Sequence, residues 1–573
     1  MQLETGTNGI SAADYDLDGD IDLYFVVRDS AWGGDQRTWN RLFSNENNLF
    51  ENQTSVSTLT GISQTRWSEM GFNIGASWGD YNNDGYPDIF IYYTGKDQLF
   101  RNNGNGTFTN VSSEAGIAGL VTQFSSHGLW WDYDKDGDLD LYVTVRKDVA
   151  LSDRKDRNRM YENIGNDQFI DVSEASGLDD HRFSYMAVAL DVNDDAQLDL
   201  YIANDFGENS LYLNNGNKTF YRDSTNSYGL NDAGEGMGIA IGDVDRNGLF
   251  DLYVTNVTNR EVTGQSNPLF INKKGTFENR TFSAKTDYAG WGWGTSFFDF
   301  DNDMDEDLFV SNGYFSTEYE NHFFENVSVS DSLIFDENGE QTGLNSSDVS
   351  RTHIVYDFSN DGFQDVLISN YYKQPDLYLN TLSEGNWIKV ELEGTTTNRN
   401  AFGSSIEVIT GPQKIWRYHH GAQFFGQNIL PVHFGLGETE MIDSINVHWL
   451  NGGTDVLTNI SPNQSIKIKE GEGIVTSKES EFLNTAKNLH LIGNYPNPFN
   501  SGTVIRFQTD QPQYIDLQIF NVLGQKVYSS SSFFPSAGSH YFHWSPPSLN
   551  SGVYFYTISN QSFSETKTML YLK

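Results

Sequence analysis

The feature that most limits how this chain can fold is an acidic nonapeptide that recurs seven times. Its third copy reads Asp132-Tyr-Asp134-Lys-Asp136-Gly137-Asp138-Leu-Asp140 and runs straight into Leu141-Tyr142-Val143. Side-chain oxygens at positions one, three, five and nine, with Gly at six, make a short turn that aims oxygen atoms at one point. Two bare carboxylates about 4 Å apart repel by about 4 kcal/mol at an effective dielectric of 20. A hard cation that takes six to eight oxygen ligands removes that repulsion, and Ca2+ fits the requirement. One copy alone reads equally well as a solvated acidic turn. Seven phased copies do not.

The copies supply a consistent donor set. The first offers Asp14, Asp16, Asp18, Asp20 and Asp22, and the second Asp80, Asn82, Asp84, Tyr86 and Asp88. The third offers Asp132, Asp134, Asp136, Asp138 and Asp140, and the fourth Asp191, Asn193, Asp195, Gln197 and Asp199. The fifth has Asp243, Asp245, Asn247, Leu249 and Asp251; the sixth Asp299, Asp301, Asp303, Asp305 and Asp307. The seventh has Asp357, Ser359, Asp361, Phe363 and Asp365. Positions one, three and five are expected to give one side-chain oxygen each, position seven a backbone carbonyl, and position nine a carboxylate able to bind through both oxygens. Up to seven Ca2+ ions follow. Ala196 and Met304 stand at position six where the other copies have Gly, so their turns are expected to be strained. The fourth site is expected among the weakest, and the first and third the tightest.

The copies are spaced by roughly 50 to 65 residues, a period that suits four-stranded propeller blades. Each is preceded by a strand of small residues such as Gly71-Phe-Asn-Ile-Gly75-Ala76-Ser77-Trp78, suited to a crowded axis. Each is followed by an apolar strand, a Leu/Phe-x-Asn strand such as Leu99-Phe100-Arg-Asn102, and usually an outer strand opening on Gly-Thr-Phe, as at Gly106-Thr-Phe108. The expected fold is all-β: a seven-bladed β-propeller with Ca2+ loops over residues 1–380, a small separate β domain over 385–472, a polar linker over 476–488, and an Ig-like β-sandwich over 489–573. The last repeat lacks its own Gly-Thr-Phe strand, so a closed ring would borrow one from upstream, and an N-terminal truncation is expected.

The formal net charge of −42 argues against nucleic acid and anionic membranes as partners. The absence of Cys rules out disulfides, thiolate metal sites and a Cys nucleophile. No apolar run approaches the ~20 residues of a membrane span. The first residues, Met1-Gln-Leu-Glu-Thr-Gly-Thr, carry no signal peptide, so the leader is either removed or truncated away.

Three stretches resemble known families. The repeats resemble FG-GAP/VCBS propellers, whose D-x-D-x-D-G-x-x-D loops bind Ca2+. Asn400-Ala-Phe402-Gly403, Gly421-Ala-Gln-Phe-Phe, His433-Phe-Gly435-Leu-Gly437 and Val447-His-Trp449-Leu-Asn451-Gly452 resemble an ASPIC and UnbV domain. That pairing is the arrangement of the cartilage acidic protein family. Tyr495-Pro-Asn-Pro-Phe-Asn, Asn521-Val-Leu523-Gly524-Gln-Lys-Val and Ser551-Gly-Val-Tyr are similar to type IX secretion sorting domains of Bacteroidetes-like bacteria. The sorting-domain resemblance implies a secreted or outer-membrane surface protein handled by the type IX export machinery, and the expected role is binding of a glycan or protein outside the cell. The alternative is a Ca2+-dependent carbohydrate-active enzyme, a polysaccharide lyase or sugar dehydratase.

Several motifs are decoys. Gly75-Ala-Ser77-Trp-Gly79 matches a nucleophile elbow but enters an acidic loop rather than a helix. Gly236-Met-Gly238-Ile-Ala-Ile-Gly242 lacks the helix of a dinucleotide loop. His419-His420 are expected to be exposed loop histidines without a third metal ligand.

Overall fold

The computed structural model describes residues 3, 6–27, 40–46, 49–59, 73–117, 124–146, 156–258, 265–314, 319–329, 332–479, 489–495, 497, 499–500, 502–509, 512–521, 525–534, 538–546, 549, 551–560 and 564–573. Among these the chain is all β apart from four helices of one turn. It divides into two compact units, Met1–Lys478 and Glu479–Lys573.

In the first unit seven antiparallel meanders follow one another. The third is representative, with strands Ser125–Trp131, Asp140–Val145, Arg159–Asn163 and Phe169–Asp171. Its acidic loop is the hairpin between the first two strands, where Asp140 pairs with Trp131. The seventh meander has three strands, Ser350–Tyr356, Asp365–Asn370 and Asp376–Tyr378. Each first strand lies against the first strands of the meanders before and after it, and Ser350–Tyr356 lies against Thr7–Ala13. Thr7 Oγ1 and Ser369 Oγ are 2.8 Å apart at that join. Ile10 and Leu23 share a core there with Ile354 and Leu367. The arrangement is propeller-like.

The small residues of the first strands answer to this crowding. A Cβ on Gly128 would stand 2.7 Å from the Phe90 ring, and one on Gly238 would stand 2.2 Å from the Trp293 carbonyl oxygen. Ser77 of the apparent nucleophile elbow is buried and donates to the Gly128 carbonyl at 2.6 Å. It is a packing residue.

Neighbouring meanders are also stitched through their third strands. Asn102 Nδ2 donates to the Tyr15 carbonyl in the first acidic loop, and Asn163 Nδ2 to that of Tyr81 in the second, both at 2.8 Å. The outer-strand Phe packs on the same loop residue: ring centroids are 5.8 Å apart for Tyr15 and Phe108, and 5.6 Å for Tyr81 and Phe169. The Leu/Phe-x-Asn and Gly-Thr-Phe signals of the sequence are therefore inter-sheet ties.

Residues 386–479 build two four-stranded sheets around a core that includes Ile388, Val390, Ile406, Val408, Phe434 and Val447. The sequence suggested a separate domain. The structure places these residues in one unit with the meanders, because a hairpin of Ala422–Gln423 and Gly426–Gln427 enters the axis. Gly426 and Gln427 pair in parallel with Ala76 and Ser77. Asn428 Oδ1 accepts from the Ala12 N–H at 2.8 Å, and Gln427 Oε1 from the Trp130 N–H at 2.7 Å. Gln423 Nε2 donates to Thr352 Oγ1 at 2.9 Å. At the tip, the Phe424 ring lies 5.9 Å from Tyr185 and 5.7 Å from Trp293. One hairpin thus touches the first strands of six meanders.

Two readings change as a result. His419 and His420 are not exposed: His419 bonds the Asn400 carbonyl at 2.9 Å, and His420 accepts the Ala422 N–H at 3.0 Å while stacking on Tyr418. Burial lowers their pKa to about 4 and about 3, so both are neutral braces at the root of the hairpin. The strand Gly473–Glu479 also extends past Glu472 into residues assigned to the linker; from 480 to 488 the linker lies outside the described residues.

In the second unit, a three-stranded sheet (His490–Tyr495, Thr503–Thr509, Gly538–Trp544) and a four-stranded sheet (Lys526–Phe534, Gln513–Asn521, Gly552–Ser559, Ser564–Tyr571) share one core. Phe507, Leu517, Ile519, Trp544 and Tyr556 lie in it.

Candidate metal centres

All seven acidic loops share one hydrogen-bonding plan. The position-one carboxylate accepts the backbone N–H groups of positions five and six, as Asp132 does from Asp136 and Gly137, both at 3.1 Å. Asp14, Asp80, Asp191, Asp243, Asp299 and Asp357 repeat this. The position-five side chain then accepts the N–H of position seven, which ties Asp20, Tyr86, Asp138, Gln197, Leu249, Asp305 and Phe363 into the turn.

Position nine holds the hairpin to the next strand. Asp22, Asp88, Asp140, Asp199, Asp251, Asp307 and Asp365 are all buried, and each accepts the backbone N–H of the Leu/Phe-x-Asn asparagine or its equivalent. In the third loop the Asp140 carboxylate also accepts the Tyr133 N–H at 3.3 Å. The ninth residue is therefore a clamp as well as a candidate ligand.

The turn needs left-handed backbone at two positions, one of which the sequence did not reveal. Position six has positive φ throughout, including Ala196 at 64° and Met304 at 84°. Position four is also left-handed in every loop, occupied by Leu17, Asn83, Lys135, Asp194, Arg246, Asn302 and Asn360. Asn and Asp tolerate this conformation and account for four of the seven, which is the signal that could have been found. Leu17, Lys135 and Arg246 give no such hint.

Four loops bring three carboxylates together with ligand atoms within 4.8 Å of one another: Asp14, Asp16 and Asp18; Asp132, Asp134 and Asp136; Asp243, Asp245 and Asp251; Asp299, Asp301 and Asp303. The second, fourth and seventh loops do not, since Asn82, Asn193 and Ser359 replace a carboxylate at position three. Burial raises the pKa of Asp14 to about 6, of Asp132 and Asp243 to about 7, and of Asp299 to about 8. Asp22 rises to about 9 for the same reason. Asp245 Oδ1 is buried without a hydrogen-bond partner. Desolvated, crowded carboxylates with an orphaned oxygen fit a bound dication, which would neutralise them without bulk water.

The ASPIC-like region adds cations to the same face. Lys389 Nζ is 3.0 Å from Asp357 Oδ2 and buried with it; Arg399 Nε is 3.5 Å from Asp80 Oδ2. Arg417 lies 3.9 Å from Asp299 Oδ2 and 3.3 Å from Glu306 Oε1. In the seventh loop, one carboxylate fewer and a resident ammonium both oppose a metal ion.

The loop ranking can be tested by single substitutions. Asp136→Ala in the third loop is expected to remove a tightly held equivalent of Ca2+ at low free calcium. Asp195→Ala in the fourth loop is expected to change bound Ca2+ little under that condition. Equal losses in a calcium titration would contradict the ranking.

An all-β repeat chain, propeller-like in build and joined at one end by oxygen-rich hairpins, is the class that fold and site define. Residues 80–143 and 191–254 match the FG-GAP-like repeat, 394–475 match ASPIC and UnbV, and 494–571 match the secretion system C-terminal sorting domain. The protein thus carries FG-GAP repeats, an ASPIC and UnbV domain and a type IX sorting domain in one chain. Mouse (Mus musculus) cartilage acidic protein 1 is 23% identical over 488 residues, spanning 78% of this chain and 70% of the relative. The human (Homo sapiens) protein is 25% identical over 423 residues, spanning 67% of this chain and 60% of the relative. Among solved structures, an Agrocybe aegerita lectin described as recognising non-reducing terminal N-acetylglucosamine aligns at a TM-score of 0.37 and 14% identity, over 65% of this chain and 94% of the lectin. PorZ, a surface component of the type IX secretion system of Porphyromonas gingivalis, aligns at a TM-score of 0.18 and 11% identity, over 99% of this chain and 82% of PorZ. The sorting domain indicates secretion or cell-surface display in a Bacteroidetes bacterium. Among the described residues no helix is long and apolar enough to cross a membrane.

Proposed function

We propose that this protein is a seven-bladed propeller clipped by Ca2+, exported by the type IX machinery, that serves as a binding module for an extracellular glycan or protein. The convergence of three carboxylates in each of four loops, with buried oxygens held above their ordinary pKa, carries the metal part of this reading. Each ion would take its oxygens from positions one, three and five and from the clamp at nine, holding the hairpin between the first two strands of a blade. Its role is to neutralise and brace.

The binding part draws on how the axis is used. The ASPIC region packs against the acidic loops, and its hairpin enters the axis as far as Phe424, beside Tyr185 and Trp293. The buried histidines of the first strands are neutral and committed to the fold: His127 Nε2 bonds the Gly426 carbonyl at 3.1 Å, and His353 bonds Ser311 Oγ at 2.7 Å and Ser296 Oγ at 3.0 Å. Burial lowers their pKa to about 4 and about 3. Side chains bound up in this way suit a rigid scaffold better than proton transfer.

The test is an array of glycans and secreted proteins probed with the full chain, first loaded with Ca2+ and then chelated. Binding that is lost on chelation and restored by Ca2+ is expected. A folded, Ca2+-loaded chain that binds nothing would count against a binding module. Export has its own check. Intact-mass measurement of protein from the native cell surface is expected to show the unit after about residue 489 removed. A mature chain still ending at Lys573 would contradict that.

A further inference from the structure

At the end of the meanders away from the acidic loops, several buried hydrogen-bond donors have no acceptor among the described residues. Arg351, second residue of Ser350–Tyr356, is 6% exposed. Its guanidinium lies 3.8 Å from the Trp293 ring centroid and 4.8 Å from that of Tyr371. Among the described residues no carboxylate pairs with it, and its Nη1 has no hydrogen-bond partner. Buried charges are ordinarily paired, because an uncompensated one is costly to keep out of water.

The surroundings repeat the pattern. Trp291 stacks on Tyr314 with centroids 3.9 Å apart, and its buried Nε1 also lacks an acceptor. Arg146 lies 5.3 Å from the Tyr185 ring centroid and 5.7 Å from that of Phe124. One of its nitrogens pairs with Asp205 at 2.9 Å, while its buried Nε has no partner. Tyr185 and Tyr314 are close enough to act electrostatically on both arginines, so this is one cluster. Phe424 packs on Tyr185 and Trp293, so the hairpin tip lies against it from the axis. Beside it, Phe206, next to Asp205, is 48% exposed, and Tyr372, next to Tyr371, is 44% exposed.

We propose that this cluster is a binding site for the carboxylate of a terminal acidic sugar, seated on Arg351 with its pyranose face on Tyr372. A guanidinium presents a planar fork that suits a carboxylate, and the neighbouring indole N–H suits a ring hydroxyl or the second carboxylate oxygen. Amphipathic aromatic faces around a few fixed donors suit a saccharide. The net charge of −42 repels long polyanions, which favours a short acidic saccharide over a long one. The proposal rests on the binding-module reading and narrows its ligand.

The probe is trigalacturonate, with its methyl ester as the neutral control and hexaglutamate as a peptide control, titrated into the full Ca2+-loaded chain. Trigalacturonate is expected to bind at least about tenfold more tightly than either control. Arg351→Gln is expected to abolish the preference for the acid while holding or raising the melting temperature, since it removes an unpaired buried charge. Tyr372→Ala, an exposed position, is expected to weaken binding several-fold without moving the melting temperature. Equal binding of acid and ester overturns the proposal. Tighter binding of hexaglutamate overturns the sugar class. Unfolding of Arg351→Gln together with unchanged binding by Tyr372→Ala assigns Arg351 a structural role and overturns it too. Should the chain bind other glycans on the array but not trigalacturonate, this proposal fails and the broader reading stands.

Discussion

Removing divalent metal at neutral pH is expected to lower the melting temperature of Met1–Lys478 sharply and to leave the transition of Glu479–Lys573 in place. At free Ca2+ one hundredfold above the dissociation constant, each independent site adds about 2.7 kcal/mol. Several sites acting on one cooperative unit make this the largest effect foreseen. The direction of the pH dependence follows from the same carboxylates. Asp22, Asp132, Asp243 and Asp299 have pKa values of about 9, 7, 7 and 8 in the metal-free fold. An unfolded Asp titrates at about 3.9. The unfolded chain therefore gives up these protons first, and stability is lost as pH rises from about 4 through the folded values. Chelated protein is expected to melt higher at about pH 5 than at pH 8, whereas the Ca2+-loaded protein should not follow that trend. An unchanged melting curve in excess chelator, with metal absence confirmed by elemental analysis, would contradict the structural role of the ions.

Phe424→Ala is expected to cost the first unit about 3–5 kcal/mol, the range for truncating a buried Phe. The ring is 1% exposed and packs against both Tyr185 and Trp293, so little can move in to fill the space. Differential scanning calorimetry would resolve the loss from the second unit. A cost below about 1 kcal/mol would mean that the hairpin rests on the ring of meanders without being part of its core.

The repeats were legible because the loop chemistry is local. An alternating run of oxygen donors around a sharp turn needs its neighbours for nothing except neutrality, so its period reported the meanders directly. The Leu/Phe-x-Asn and Gly-Thr-Phe signals were visible as strands, but their ties run between sheets, as from Asn102 to the Tyr15 carbonyl. No window of sequence contains both partners. The axial hairpin was hidden for the same reason. Gly421-Ala-Gln-Phe-Phe reads as a short apolar turn, and nothing near it shows that Phe424 packs against Tyr185 and Trp293. His419 and His420 looked exposed because they adjoin that turn; the hairpin buries them. The Arg351 cluster is assembled from four meanders, and Arg351 itself carries no local motif.

Native mass spectrometry of the full chain across a calcium titration tests the central claim most directly, because it counts ions. Extracellular Ca2+ modules bind with dissociation constants of about 10⁻⁴–10⁻³ M. Titrated above that range, the chain is expected to hold at least the four ions for which three carboxylates converge, and up to seven. Those at the first and third loops should fill first. A chain that keeps its metal-free mass across the titration would contradict the account.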